Sequence, residues 1–164
     1  AVLGLNKEAS SVAICKFKGV KHRIQLVGEV NGVTYINDSK GTNVDATVKA
    51  VDSATRPTVL LLGGKDKGYD YTPLFQRLLN GKVVHAVIYG ENRFKMMDCA
   101  SAAGFFSFSL CADFSTAVRL ATFIAKTGQS VLLSPASASF DEFAGYEERG
   151  DAFIKLVEGL RNEN

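Results

Sequence analysis

Val59-Leu60-Leu61-Leu62-Gly63-Gly64-Lys65-Asp66-Lys67-Gly68 reads as a strand that is apolar on both faces and runs into a glycine-rich turn carrying lysines. An uninterrupted apolar run of this kind belongs inside a parallel sheet with helices over both faces. Arg56-Pro57 ends the helical segment before it, in which Val44, Thr47, Val48 and Val51 recur at helical spacing. Thr72-Pro73 reads as an N-cap followed by a first-turn proline and opens a short helix through Leu79.

The same alternation continues outward. Strands are expected at 83–89, 105–110 and 130–133, and helices at 91–102, 113–126 (ended by Gly128) and 146–160. Upstream, Ile24, Leu26 and Val30 precede Asn31-Gly32, and Val33, Tyr35 and Ile36 follow, a strong short signal for a β-hairpin. These elements predict a three-layer αβα domain. Its six-stranded sheet is mostly parallel, with one antiparallel strand supplied by the N-terminal hairpin. Residues 8–17 have helix-compatible spacing stopped by Gly19, so residues 1–19 read as the end of a preceding element and 20–164 as the domain.

Composition narrows the function. The 164 residues carry a net charge of +2 with no basic block, which argues against nucleic acid or a membrane surface as partner. No apolar stretch is long enough to span a membrane and no signal-peptide layout opens the chain. Cys15, Cys99 and Cys111 lie in apolar stretches without C-x-x-C spacing and read as reduced core thiols of a cytoplasmic protein. No histidine pair stands at metal-ligand spacing, so no metal site is expected. Neither G-x-x-x-x-G-K-[ST] nor G-x-G-x-x-G is present, so the chain has no phosphate loop of its own.

Three strand ends carry the polar chemistry: Asn37-Asp38-Ser39-Lys40-Gly41-Thr42-Asn43, Gly63-Gly64-Lys65-Asp66-Lys67-Gly68, and Ser134 to Phe143. In a parallel sheet all three meet at the carboxyl edge, where Lys40, Lys67, Thr42 and Ser139 form a set suited to small anions. Each also has a purely structural reading. Thr42 or Asn43 can cap the next helix with Asp45 as capping-box acid, the glycine pair can serve a turn needing positive φ, and Ser139 with Glu142 forms a capping box. His22 and Arg23 read as a solvated strand end, His85 as a satisfied core histidine, and Phe105, Phe106 and Phe108 as core packing.

Asp38-Ser39-Lys40-Gly41-Thr42-Asn43, Leu60-Leu61-Leu62-Gly63-Gly64 with Lys67, and Ser134-Pro135-Ala136-Ser137-Ala138-Ser139 followed by Phe143 and Arg149-Gly150 resemble, in order, the C-terminal domain of the Mur ligases, and most of all its D-glutamate-adding branch. The resemblance implies a Rossmann-like sheet and an ATP-dependent ligase of peptidoglycan synthesis working through an acyl phosphate. Residues 1–19 would then be the tail of the central ATPase domain and its linker. ATP, Mg2+ and UDP-N-acetylmuramoyl-L-alanine would be bound mainly by domains outside this sequence, leaving the chain alone inactive. It further implies that Thr42, Lys67, Ser139 and the backbone near Tyr146 hold D-glutamate. Asp38 would meet the ATP ribose, Arg23 would reach the nucleotide phosphates, and Lys40 would sit by the transferred phosphoryl group as the catalytic cation. Gly41 stands where the family often has Ala, an exchange expected to be without consequence. A related ligase such as folylpolyglutamate synthase, or a flavodoxin-like signalling domain with Asp38 as phosphoacceptor and Lys67 beside it, remain the alternative readings.

Overall fold

The computed structural model describes residues 19–162. The expected helix at 8–17 and Cys15 lie outside them. Along the chain run β1 (Gln25–Val30), β2 (Val33–Asn37), α1 (Val44–Asp52), β3 (Thr58–Gly63), α2 (Thr72–Leu78), β4 (Val83–Tyr89), α3 (Arg93–Ala103), β5 (Phe108–Leu110), α4 (Phe114–Ile124), β6 (Ser130–Leu133) and α5 (Tyr146–Asn162). The six strands form one sheet in the order β1-β2-β6-β3-β4-β5. Only the β1–β2 pair is antiparallel. The hairpin turns at Asn31 (φ 52°) and Gly32 (φ 74°), the two positive φ values that a tight turn between right-twisted strands demands.

β3 shows why the sheet needs two covers. Leu60, Leu61 and Leu62 are each fully buried, worth about 1.5–3 kcal/mol apiece. Val59 and Leu61 face α4 and α5, packing with Val118, Phe153 and Val157. Leu60 and Leu62 face α1, α2 and α3, packing with Val51, Phe75 and Met96. The period-2 alternation thus feeds two separate cores from one strand.

Several boundaries differ from the sequence reading. β5 begins at Phe108 rather than 105 because Gly104 (φ 81°) ends α3 in a left-handed cap and the Phe105 N–H returns to the Ala100 carbonyl. Phe105 is buried against Phe75, whereas Phe106 is exposed rather than core. Asn43, not Thr42, caps α1, its side-chain oxygen accepting from the Ala46 N–H at 2.8 Å. α2 is preceded by Tyr71, and Asp70 accepts from the Thr72 N–H, so Thr72 is the first helical residue instead of the cap. α3 starts at Arg93 because Asn92 is engaged by neighbouring loops. His85 is half-buried, its ring bonded to the Ser107 and Ser109 hydroxyls. Cys111 is buried and Cys99 half-buried, both as free thiols. No helix among the described residues is long and apolar enough to cross a membrane.

Candidate functional site

The winding of the sheet makes a crevice at its carboxyl edge. β2 and β3 each lead into helices on one face, α1 and α2, whereas β6 between them leads to α5 on the other. Such reversals leave the strand ends open to a ligand. Register then decides which residues stand side by side. Asn37 pairs with Leu133, and Leu133 with Leu61, so Asp38 and Ser134, one residue further on, and Gly63, two residues beyond Leu61, emerge together.

Asp38 is accordingly met by the Ser134 hydroxyl, which donates to Oδ2 at 2.7 Å, and by the Ile24 N–H, which donates to Oδ1 at 3.2 Å. The Ser134 hydroxyl also lies 3.1 Å from that of Thr47. Burial raises the Asp38 pKa above its ordinary value, against the pull of Ser134, Ile24 and Arg23. A Cβ on Gly41 would stand 2.5 Å from Asp38 Oδ2 and 2.6 Å from Ser134 Oγ, so an alanine here would oblige those two side-chain ends to shift.

Residues 20–24 fold over the same corner. His22 is buried, not a solvated strand end: the Asn37 amide donates to its Nδ1 at 3.0 Å, and Asp151 lies 3.6 Å from its Nε2. Desolvation lowers its pKa, with Asp151 opposing. The His22 carbonyl accepts from the Lys40 N–H at 3.0 Å. His22 (φ 62°) and Ile24 (φ 44°) both take left-handed backbone on either side of Arg23. For a β-branched residue this is an outlier costing on the order of 1–3 kcal/mol, a strain held by the contacts to Asp38 and Lys40. The result is a recess of about 360 Å³ lined by Arg23, Asp38, Lys40, Asp45 and Lys49. A roomier groove of about 600 Å³ between α4 and α5 contains none of the residues expected to bind ligand.

The other two loops are tied to this corner by backbone and by one arginine. The Lys65 N–H donates to the Ala138 carbonyl at 3.0 Å, and the Ala136 N–H to that of Gly41 at 2.9 Å. Gly63 and Gly64 have φ of 120° and 139°, as their turn requires. Arg149 is fully buried. Its Nε donates to Ser39 Oγ (3.0 Å), its Nη1 to the Ala138 carbonyl (3.1 Å), and its Nη2 to the carbonyls of Ser39 (2.9 Å) and Ser137 (3.1 Å). Ser39 Oγ in turn donates to the Tyr146 carbonyl at 2.7 Å. One guanidinium thus joins the loops after β2 and β6 to the start of α5.

Of the expected ligand residues, Arg23, Asp38 and Lys40 share the recess, and the Lys40 ammonium sits 5.1 Å above the Tyr146 ring. Thr42, Lys67 and Ser139 lie on three adjoining loops of the edge without touching one another. Lys67 is exposed, 6.0 Å from the Tyr69 ring. Its neighbours Lys65 and Lys95 are paired with Glu91 and Asp66. Among the described residues the Lys67 ammonium and the Thr42 and Ser139 hydroxyls make no hydrogen bond or ion pair. Ser139 is not a helix cap: residues 140–145 form turns, α5 begins at Tyr146, and the Ser139 carbonyl takes the Glu142 and Phe143 N–H groups. The capping role is therefore gone and its hydroxyl is spare. The phosphoacceptor reading loses its geometry too, because both Asp38 oxygens are engaged and Lys67 lies against Tyr69. Sequence reading missed His22, Asn92, Ser134 and Arg149 as organisers of the edge.

Burial of Asp38 has a measurable cost. Its folded pKa lies above the unfolded value, so the folded state binds the proton more tightly and stability falls as pH rises through that window. Asp38→Asn is expected to raise the melting temperature at pH 7. The advantage should fade as pH drops below about 4, where the unfolded carboxyl is also protonated. A variant less stable than wild type at pH 7, with the difference growing toward alkaline pH, would contradict it.

Comparison with known proteins places these features. The sequence pattern of the family described as Mur ligase, glutamate ligase domain matches residues 22–137. The chain is 44% identical over 160 residues to the UDP-N-acetylmuramoylalanine--D-glutamate ligase of Alkaliphilus metalliredigens, covering 98% of this chain and 35% of that protein. It is also 44% identical over 160 residues to the protein of the same name from Francisella philomiragia, covering 96% and 38%. The chain therefore spans about a third of the length of these relatives. Among solved structures, the UDP-N-acetylmuramate-alanine ligase of Thermotoga maritima superposes with a TM-score of 0.69 at 13% identity, over 99% of this chain and 35% of that one. The bifunctional folylpolyglutamate synthase/dihydrofolate synthase of Yersinia pestis gives 0.64 at 17% identity, over 97% and 35%. These two likenesses speak for the fold alone.

Proposed function

The chain belongs to the Mur ligase, glutamate ligase domain family, and from that premise we propose that it is the C-terminal, acceptor-binding domain of a cytoplasmic ATP-dependent ligase adding D-glutamate to UDP-N-acetylmuramoyl-L-alanine. The observation that carries the reading is the set of uncommitted groups on three adjoining loops, Thr42, Lys67 and Ser139, in a chain 44% identical to proteins named for that reaction. Residues 1–19 are then the end of a central ATPase domain and its linker.

In this reaction ATP supplies a phosphoryl group to the L-alanyl carboxylate, giving an acyl phosphate and ADP. The amine of D-glutamate attacks the acyl carbon, the C–N bond forms, phosphate leaves with the C–O bond electrons, and the nitrogen gives up a proton. The domain's part is to hold and aim the amine, a task in which orientation supplies much of the rate. Two carboxylates call for cations and donors. Lys67, Thr42 and Ser139 offer them, and the backbone opening α5 near Tyr146 adds the positive end of the helix, part of which the Glu147 carboxylate already takes up. The recess beside them suits a nucleotide's polyanionic end, because Arg23, Lys40 and Lys49 line it with Asp38 at its wall. Arg23 would take phosphate oxygens, Asp38 a ribose hydroxyl and Lys40 the transferred phosphoryl group. Magnesium, like most of the nucleotide, would be held mainly by the other domains of the ligase.

The ligase that carries this chain should release phosphate only when ATP, the UDP-linked substrate and D-glutamate are all present, and the 164-residue chain alone should release none. D-glutamate-independent turnover by the whole ligase, or amide formation by the chain alone, would defeat the proposal.

A further inference from the structure

The loop bearing Lys67 is exposed through its middle, yet both its ends are gripped by one side chain. Asn92 is buried, 2% exposed, at the entry to α3. Its Oδ1 accepts from the Gly64 N–H at 3.0 Å, where the loop leaves β3. Its Nδ2 donates to the Tyr71 hydroxyl at 2.8 Å, where the loop enters α2. The same Nδ2 donates to Ser137 Oγ at 2.7 Å, two residues before Ser139. The Tyr71 and Ser137 hydroxyls, 3.3 Å apart, close the triangle. The Asn92 N–H also returns to the Gly64 carbonyl at 3.1 Å.

One planar amide thus ties the loop carrying the free ammonium to the loop carrying the free hydroxyl, with its three polar partners on both. Asn92 gives no cap hydrogen bond to α3 and lies beneath the edge instead of on it. A dicarboxylate held at one end by Lys67 and at the other by Ser139 samples the separation of those loops directly. We propose that Asn92 is a positioning residue that fixes this separation and so sets the chain length of the acceptor diacid, an inference that rests on the D-glutamate reading above.

The test compares D-glutamate with D-aspartate and D-2-aminoadipate, one methylene shorter and one longer, in the whole ligase. Asn92→Leu keeps approximate size and removes all three hydrogen bonds. It should raise the KM for D-glutamate at least about tenfold, as an ångström-scale misplacement does. The preference for D-glutamate over the other two diacids should fall by a similar factor, while the KM values for ATP and the UDP-linked substrate stay put. Asn92→Asp should restore the preference, because its two oxygens can accept from the Gly64 N–H and from the two hydroxyls, which rotate to donate. Should Asn92→Leu fail to fold, Tyr71→Phe removes one tie only and should shift the same preference in the same direction. An unchanged preference among the three diacids, whatever the loss in overall rate, would overturn the proposal. A wild-type ligase with no dependence on D-glutamate would overturn the functional reading itself, and this inference with it.

Discussion

Arg149→Ala is expected to destabilise the domain by about 3–5 kcal/mol, among the large effects that follow when a buried hydrogen-bond network is broken. The guanidinium is fully buried and its hydrogen bonds reach one hydroxyl and three backbone carbonyls. Removing it strands those acceptors away from water, where each unsatisfied group costs roughly 1–3 kcal/mol. Arg149→Lys should recover little, because a point ammonium cannot serve both loops in the way a planar fork does. Urea unfolding of wild type and both variants at a common m-value measures this. A shift within about 0.5 kcal/mol for Arg149→Ala would mean that water replaces the fork without penalty.

Lys67→Ala is expected to have the opposite profile. The side chain is exposed and without an ion pair, so its loss should leave the melting temperature alone. In the whole ligase, however, the proposed charge-assisted bond to D-glutamate, worth about 1.5–3 kcal/mol, would disappear. The D-glutamate KM should rise roughly 10- to 100-fold, with the KM for the UDP-linked substrate unchanged. Equal losses for both substrates would make Lys67 a structural residue.

What could be read from sequence divides along a physical line. Local signals were strong where the chain repeats a period or breaks it. The apolar run at 59–62, the Asn31-Gly32 turn and the strand at 130–133 appear where expected, and the three strand-end loops meet at one edge as a parallel sheet requires. Boundaries slipped where two neighbours offer the same chemistry, as with Thr42 and Asn43 at the start of α1, or where a left-handed cap takes residues from a strand, as at Gly104-Phe105. The organisers of the edge left no local trace. Arg149 bonds Ser39 across 110 positions and Ser134 bonds Asp38 across 96. His22 is buried by a chain segment that folds back with positive φ, a conformation no pattern of apolar residues announces. Such residues become visible only when register brings distant strand ends together.

The position of β6 also bears on how the chain is made. β2 and β3 do not pair with each other; each pairs with β6, the last strand in the sequence. Until residues 130–133 leave the ribosome, the nascent chain can build a hairpin and a β3–β4–β5 unit but lacks the strand that joins them into one sheet. Both pieces then wait with an unpaired apolar edge, the condition in which partly made domains associate wrongly. Insertion of one short strand seals both edges at once. The edge that gathers Asp38, Ser134 and Gly63 comes into being at that same step.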